Sequence, residues 1–264
     1  MAKLALYHVD AFTGRVFAGN PAAVVPLEAW LPDATLQSIA TENNLSETAF
    51  FVGSGGDYHI RWMTPTSEVD LCGHATLASA WVVLNHVDKG RAEVRFRSKS
   101  GPLRVTAEGD RLALDFPSRP PEPAEGSAAA VAAALGARPR AVLASRDYLA
   151  LFESEDEVRA LAPDMAKVRA LDRMAVIATA PGRGCDFVSR FFAPQVGVPE
   201  DPVTGSAHCT LVPYWSRRLG RTSLFARQVS ARGGELWCED RGERVKVAGR
   251  CAAYLQGTLE VPGP

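Results

Sequence analysis

Glu47 lies in the segment ATENNLSETAFFV, where a carboxylate enters an otherwise apolar strand start just ahead of Ala49, Phe50 and Phe51. Partial burial at such a point suits a carboxyl group to general acid or base work. The plainer assignment is a helix-exit residue paired with a neighbouring arginine. His74 and Ser206 each follow a glycine, Gly73 and Gly205, that opens an apolar segment. Ser206 is a good helix N-cap in its own right, whereas His74 is a poor one, which favours a polar task for its imidazole. Asp201 stands four residues before Gly205, next to Pro202. There it can hold a substrate hydroxyl or amine, orient His74, or simply make a turn. Cys72, immediately before Gly73, is either a thiolate activated at a helix start or a small core residue.

These residues fall into two halves that repeat one another. RWMTPTSEVDLCGHAT runs from Arg61 to Thr76 and RFFAPQVGVPEDPVTGSAH from Arg190 to His208, with offsets of 129 residues at Pro65 and Pro194 and 132 at Gly73 and Gly205. Self-similarity at a fixed offset is the signature of a duplicated supersecondary unit. The Glu108-Gly109-Asp110 and Asp240-Arg241-Gly242 turns follow their glycines at similar distances. Upstream, Asp33 can cap a helix to Thr41, and Ser154 with Glu157 forms a capping-box signal for a helix to Ala162. Strand-like runs follow at Thr48 to Val52 and Met174 to Thr179. The run from Met174 to Thr179 carries no acid, so Glu47 has no counterpart within it.

The segment from Ala75 to Leu84 is apolar nearly all round, which requires a buried helix. Val94 and Phe96 alternate with Arg95 and Arg97, as in a half-buried meander. The predicted fold class is therefore α+β: two pseudo-symmetric domains, each a mostly antiparallel sheet or barrel wrapped around a central helix. Pro213 is expected to kink or end the second central helix early. Pro117, Pro120, Pro121 and Pro123 mark a stiff connector up to Gly126. This gives domains 1–118 and 119–264, with terminal strands that can cross back to the first. If both glycine-led helix starts face a shared cleft, their free N–H groups suit a carboxylate.

With 264 residues, 47% of them hydrophobic, the chain can bury a substantial core. A formal charge of −1 offers no field for a phosphate backbone or an anionic bilayer. No nucleic-acid or membrane partner is expected. Tyr7, His8 and Asp10 interrupt any leader-like pattern, so the expectation is a cytoplasmic protein. The five cysteines lack Cys-x-x-Cys spacing, and His8, His59, His74, His86 and His208 lack metal-ligand spacing, so neither disulfides nor a metal site is expected.

Taken together, YHVDAFTGRVFAGNPAAVV, ATENNLSETAFFV, MTPTSEVDLCGHATLASA and FFAPQVGVPEDPVTGSAHC resemble the PhzF-like isomerases of the phenazine-biosynthesis type. That family shares the diaminopimelate epimerase and proline racemase fold. The resemblance implies a site in an interdomain cleft, no metal or organic cofactor, and a homodimer. It implies that Glu47 is the general acid/base, that His74, Asp201 and Ser206 contact the substrate, and that Gly73 and Gly205 supply backbone amides. In the epimerase branch a catalytic cysteine precedes each glycine; here Cys72 is followed in the second half by Thr204. That favours moving a proton, with its double bond, on one face of a small carboxylate, and leaves Cys72 as an accessory candidate. The alternatives are a racemase or epimerase using Cys72, and a non-catalytic small-acid-binding protein.

Overall fold

β1 (Ala2–Ala11) and β2 (Asn20–Leu27) pair antiparallel, from Tyr7 opposite Val24 to Ala11 opposite Asn20. The loop between them needs left-handed backbone at Phe12, Phe17 and Gly19. A Cβ at Gly19 would lie 2.2 Å from the Ala11 carbonyl oxygen, so only glycine fits there. Asp10 accepts a hydrogen bond from the Phe17 N–H, which fixes the loop and so the position of Asn20. α1 (Asp33–Asn43) follows, stopped by Asn44 at φ 48. Asp33 makes no capping bond; its carboxylate instead accepts Arg61 Nη1. β3 (Glu47–Ser54), β4 (Asp57–Met63) and β5 (Glu68–Val69) lead to α2 (Gly73–Val82), in which every residue from His74 to Ala80 is buried. This helix packs against β1, β2 and β3, as its all-round apolar sequence demands. β6 (Glu93–Ser98), β7 (Gly101–Glu108) and β8 (Arg111–Pro117) form the meander, with Val94 and Phe96 inward and Arg95 and Arg97 outward.

The computed structural model describes residues 2–262 and contains two compact units. One takes the chain up to Asp115 and again from Ala248; the other is Phe116–Val247. In the second unit β9 (Glu122–Pro123) pairs with β10 (Ala141–Ala144) after α3 (Ala128–Leu135) has intervened. The proline-rich stretch is thus built into this unit: Ser118 N–H donates to the Glu243 carbonyl and Arg119 N–H to that of Cys209. β11 (Tyr148–Leu151) leads to α4 (Glu155–Ala160), where Ser154 accepts the Glu157 N–H as the capping box predicts; the helix stops two residues before Ala162. α5 (Met165–Arg169), β12 (Val176–Pro181), β13 (Phe187–Ala193) and β14 (Val198–Asp201) follow. A 3₁₀ turn, Gly205–Ala207, runs into α6 (His208–Leu219), which packs on β15 (Ser223–Gln228) and β16 (Gly234–Asp240). β17 (Arg244–Gly249) precedes β18 (Cys251–Val261), which pairs along β1 and completes the first unit.

The repeat extends to individual strand pairings. β2 and β3 are parallel, β3–β4 and β4–β5 antiparallel, β4 and β6 parallel, and β6–β7 antiparallel. β11–β12, β12–β13, β13–β14, β13–β15 and β15–β16 repeat that order and polarity. One expectation fails: Pro213 lies inside α6, which continues to Leu219. Proline leaves the carbonyl four residues earlier without its helical donor. Here that carbonyl belongs to Cys209, and the Arg119 N–H supplies the missing bond. Among the described residues no helix is long and apolar enough to cross a membrane.

Candidate active site

In the first unit the chain brings Glu47, Cys72, His74 and Asn20 together. Glu47 is the first residue of β3, set just past the left-handed stop of α1, and its side chain is 15% exposed. His74 is the second residue of α2. Its Nε2 lies 3.1 Å from Glu47 Oε2, an ion-pair contact in which that oxygen is buried and makes no aligned hydrogen bond. Its Nδ1 meets Asn20 Nδ2 at 3.1 Å and Cys72 Sγ at 3.5 Å. Burial opposes a charge on His74, but the contacts with Cys72 and Glu47 outweigh it and hold its pKa well above the ordinary value of 6.5. Burial, with the Glu47 charge adding to it, pushes the Cys72 thiol up to about 11. The cluster thus sets the Glu47 carboxyl group against an imidazole whose protonated form is favoured, with a buried thiol beside them.

An asparagine serves His74 in either ring state, offering its NH₂ to a bare Nδ1 or its carbonyl to an Nδ1–H. Both arrangements leave Nε2–H facing Glu47. Cys72 is extended at the N-cap of α2 and makes no side-chain capping hydrogen bond there.

In the second unit Asp201 ends β14 and accepts the Thr204 hydroxyl. Gln228, 1% exposed, braces this loop: its Oε1 accepts the Thr204 N–H at 2.9 Å and its Nε2 donates to the Asp201 carbonyl at 2.7 Å. Ser206 lies within the 3₁₀ turn and does not act as an N-cap; Thr204 occupies that position, also without a side-chain cap. The Ser206 hydroxyl oxygen accepts Arg146 Nη2 at 3.3 Å. His208 is fully buried, contacts the Thr204 carbonyl through Nδ1 at 2.8 Å, and is held down to about 4 by burial, so it is a neutral structural residue.

The same clamp delivers the glycine-led segment in each unit. Arg61 forks onto Glu68 across β4 and β5, and Arg190 forks onto Glu200 across β13 and β14. Each arginine spends its third edge on the preceding helix: Arg61 on Asp33 of α1, Arg190 on the Leu161 carbonyl just past α4.

Glu47, Cys72 and His74 bring one potential ligand atom each within 4.8 Å of one another, a closeness the linear spacing of the histidines conceals. As a cation site the set is poorly prepared. Metal ligands must be deprotonated, whereas burial raises the thiol here to about 11 and both imidazole nitrogens are already engaged, by Asn20 and Glu47.

Asn20, Gln228 and the adjacent Arg146-Asp147 pair are not legible as site residues from sequence. The one available signal is a lone asparagine between Gly19 and the apolar run Ala22 to Val25.

Comparison with known proteins agrees with this architecture. The model of the phenazine biosynthesis-like protein family, PhzC-PhzF, matches residues 9–257. A Pseudomonas aeruginosa protein named as an uncharacterized isomerase is 53% identical over 98% of this chain and 100% of its own. The crystal structure of a PhzF-family protein from Enterococcus faecalis superposes with a TM-score of 0.96 at 46% identity, covering 98% of this chain and 100% of that one. A hydroxyproline epimerase from Agrobacterium vitis shares the fold alone, with a TM-score of 0.60 and 11% identity over 99% of this chain and 94% of that one. By sequence and by fold, this chain belongs to the phenazine biosynthesis-like family and is an isomerase of the PhzF type.

Proposed function

We propose that the enzyme relocates a proton, and with it a double bond, within a small carboxylate substrate, using Glu47 as the general acid/base and no cofactor. The observation that carries this reading is the contact of the Glu47 carboxyl with His74 at 3.1 Å, beside a thiol held protonated. Glu47 takes a proton from the carbon next to the developing double bond. The electron pair delocalises toward the substrate carboxylate, and the His74 imidazole, whose protonated form its neighbours favour, offsets the negative charge that builds on the reacting carbons. Glu47 then returns the proton to the far carbon on the same face. A two-base racemase needs a second base on the opposite face; Thr204, standing where a second cysteine would, cannot act as one.

Neither unit holds the whole inventory: Glu47, Gly73 and His74 belong to one and Asp201, Gly205 and Ser206 to the other. The test is an NMR screen of cyclic and amino-acid carboxylates in D₂O. The expected result is deuterium at one new carbon, with the double bond shifted and no inversion at a stereocentre. Exchange with inversion at an α-carbon would assign a racemase instead, and tight binding without exchange would assign a binding protein.

A further inference from the structure

We propose that Arg146 is a specificity-determining residue that grips the substrate carboxylate together with Ser206. This rests on the reading of the enzyme as an isomerase of small carboxylates, and it names the side chain that selects them. Arg146 and Asp147 sit at the tip of the β10–β11 hairpin. Asp147 is 1% exposed, and its carboxylate is forked by its neighbour: Arg146 Nε approaches Oδ1 and Oδ2 at 3.2 and 3.1 Å, and Nη2 approaches Oδ2 at 2.8 Å. A buried carboxylate without such a partner would be costly, so part of the arrangement is structural.

What exceeds that structural need is the other side of the guanidinium. The Arg146 side chain is 32% exposed, Nη2 reaches on to Ser206 Oγ, and Nη1 makes no hydrogen bond to any described residue. Because Ser206 Oγ accepts from Arg146, its own O–H is free to donate. A charged N–H edge and a hydroxyl thus stand side by side, the donor pair that the two oxygens of a planar carboxylate accept. The ion pair is neutral as a whole. The empty enzyme therefore carries no unpaired partly buried charge, yet keeps directional donors.

The donors are also pre-set. Ser145 N–H closes the hairpin tip onto the Asp147 carbonyl at 3.0 Å, Arg173 Nη1 donates to the Ser145 carbonyl at 2.8 Å, and the Tyr148 hydroxyl bonds Ser127 and Asp172. A rigid donor pair loses little conformational freedom on binding.

The experiment titrates the full chain with benzoate and with benzamide, probes of matched shape that differ in charge, and follows binding by NMR. Wild type should prefer benzoate at least ~10-fold, as expected for a charge-assisted pair. Arg146→Gln combined with Asp147→Asn replaces the ion pair by a neutral hydrogen-bonded one and leaves no orphaned carboxylate; it should lose that preference while keeping a wild-type melting curve. Arg146→Lys, a charge that cannot fork, should restore only part of it. Benzoate preference is read by binding alone and needs no turnover, which separates this proposal from the proton-transfer reading. Unchanged benzoate affinity in the folded double variant, or no preference in wild type, overturns the assignment.

Discussion

Arg61 holds Glu68 by a two-pronged contact, Nε to Oε1 at 2.9 Å and Nη2 to Oε2 at 2.8 Å, across the short strand pair that leads to Gly73. The Arg61 hydrogen bond, opposed by burial and helped by Lys99, keeps the Glu68 carboxyl at about 2, below its ordinary 4.5. A carboxylate pKa that folding depresses contributes stability above the unfolded value and loses it as pH falls toward the folded one. Arg61→Ala should therefore cost about 1.5–3 kcal/mol at pH 7, the range for a hydrogen bond to a charged group. The gap from wild type should narrow between pH 4.5 and 2. Urea midpoints at pH 7 and pH 3 measure it; a pH-independent gap would mean that the arginine acts by packing alone.

Gln228→Ala should loosen the Asp201 to Thr204 loop. It strips partners from the buried Thr204 N–H and the Asp201 carbonyl, and a buried polar group left unsatisfied costs about 1–3 kcal/mol. The expected outcome is a lower melting temperature, with faster hydrogen exchange concentrated at Thr204 and Gly205. Uniform acceleration across the second unit would point to general destabilisation.

The duplicated architecture is legible because the pattern that specifies it is local: an arginine, a proline and a glycine at fixed offsets, each followed by an apolar segment. The equivalence of Arg61 and Arg190 in sequence is the equivalence of two ion-pair clamps in the structure. The fate of α6 is not legible, because the partner that tolerates Pro213 is a backbone N–H at Arg119, 94 residues away. The same holds for the site. Glu47 and His74 stand out by type and neighbourhood. Asn20 and Gln228 act through contacts of 54 and 24 residues' separation, which no window on the chain contains. Arg146-Asp147 reads as an ordinary charged turn until burial of the aspartate is known.

Cys72 should prove inert. Burial sets its thiol at about 11, so almost no thiolate exists near neutrality, and the thiolate is the reactive form. Iodoacetamide at pH 7.5 should label it far more slowly than it labels free cysteine, and the rate should climb with pH. Cys72→Ala should lower turnover by no more than a few-fold through loss of its contact with His74. Abolished turnover in a folded Cys72→Ala protein would favour the racemase mechanism.

Glu47→Gln separates chemistry from binding most cleanly. The amide keeps the shape of the side chain and its place at the start of β3, but it cannot carry a proton. Loss of the ion-pair contact with His74 at 3.1 Å also removes one of the two neighbours that raise the imidazole's pKa. Two effects should therefore appear together. Turnover, read as deuterium incorporation in D₂O, should fall by ~10²–10⁴, the span typical of a general acid/base, with little change in melting temperature. The His74 titration, followed by ring-proton NMR, should move down toward its ordinary value of 6.5. A titration shift without loss of turnover would make Glu47 a partner that only tunes His74, and the proton carrier would then have to be sought among the residues of the second unit.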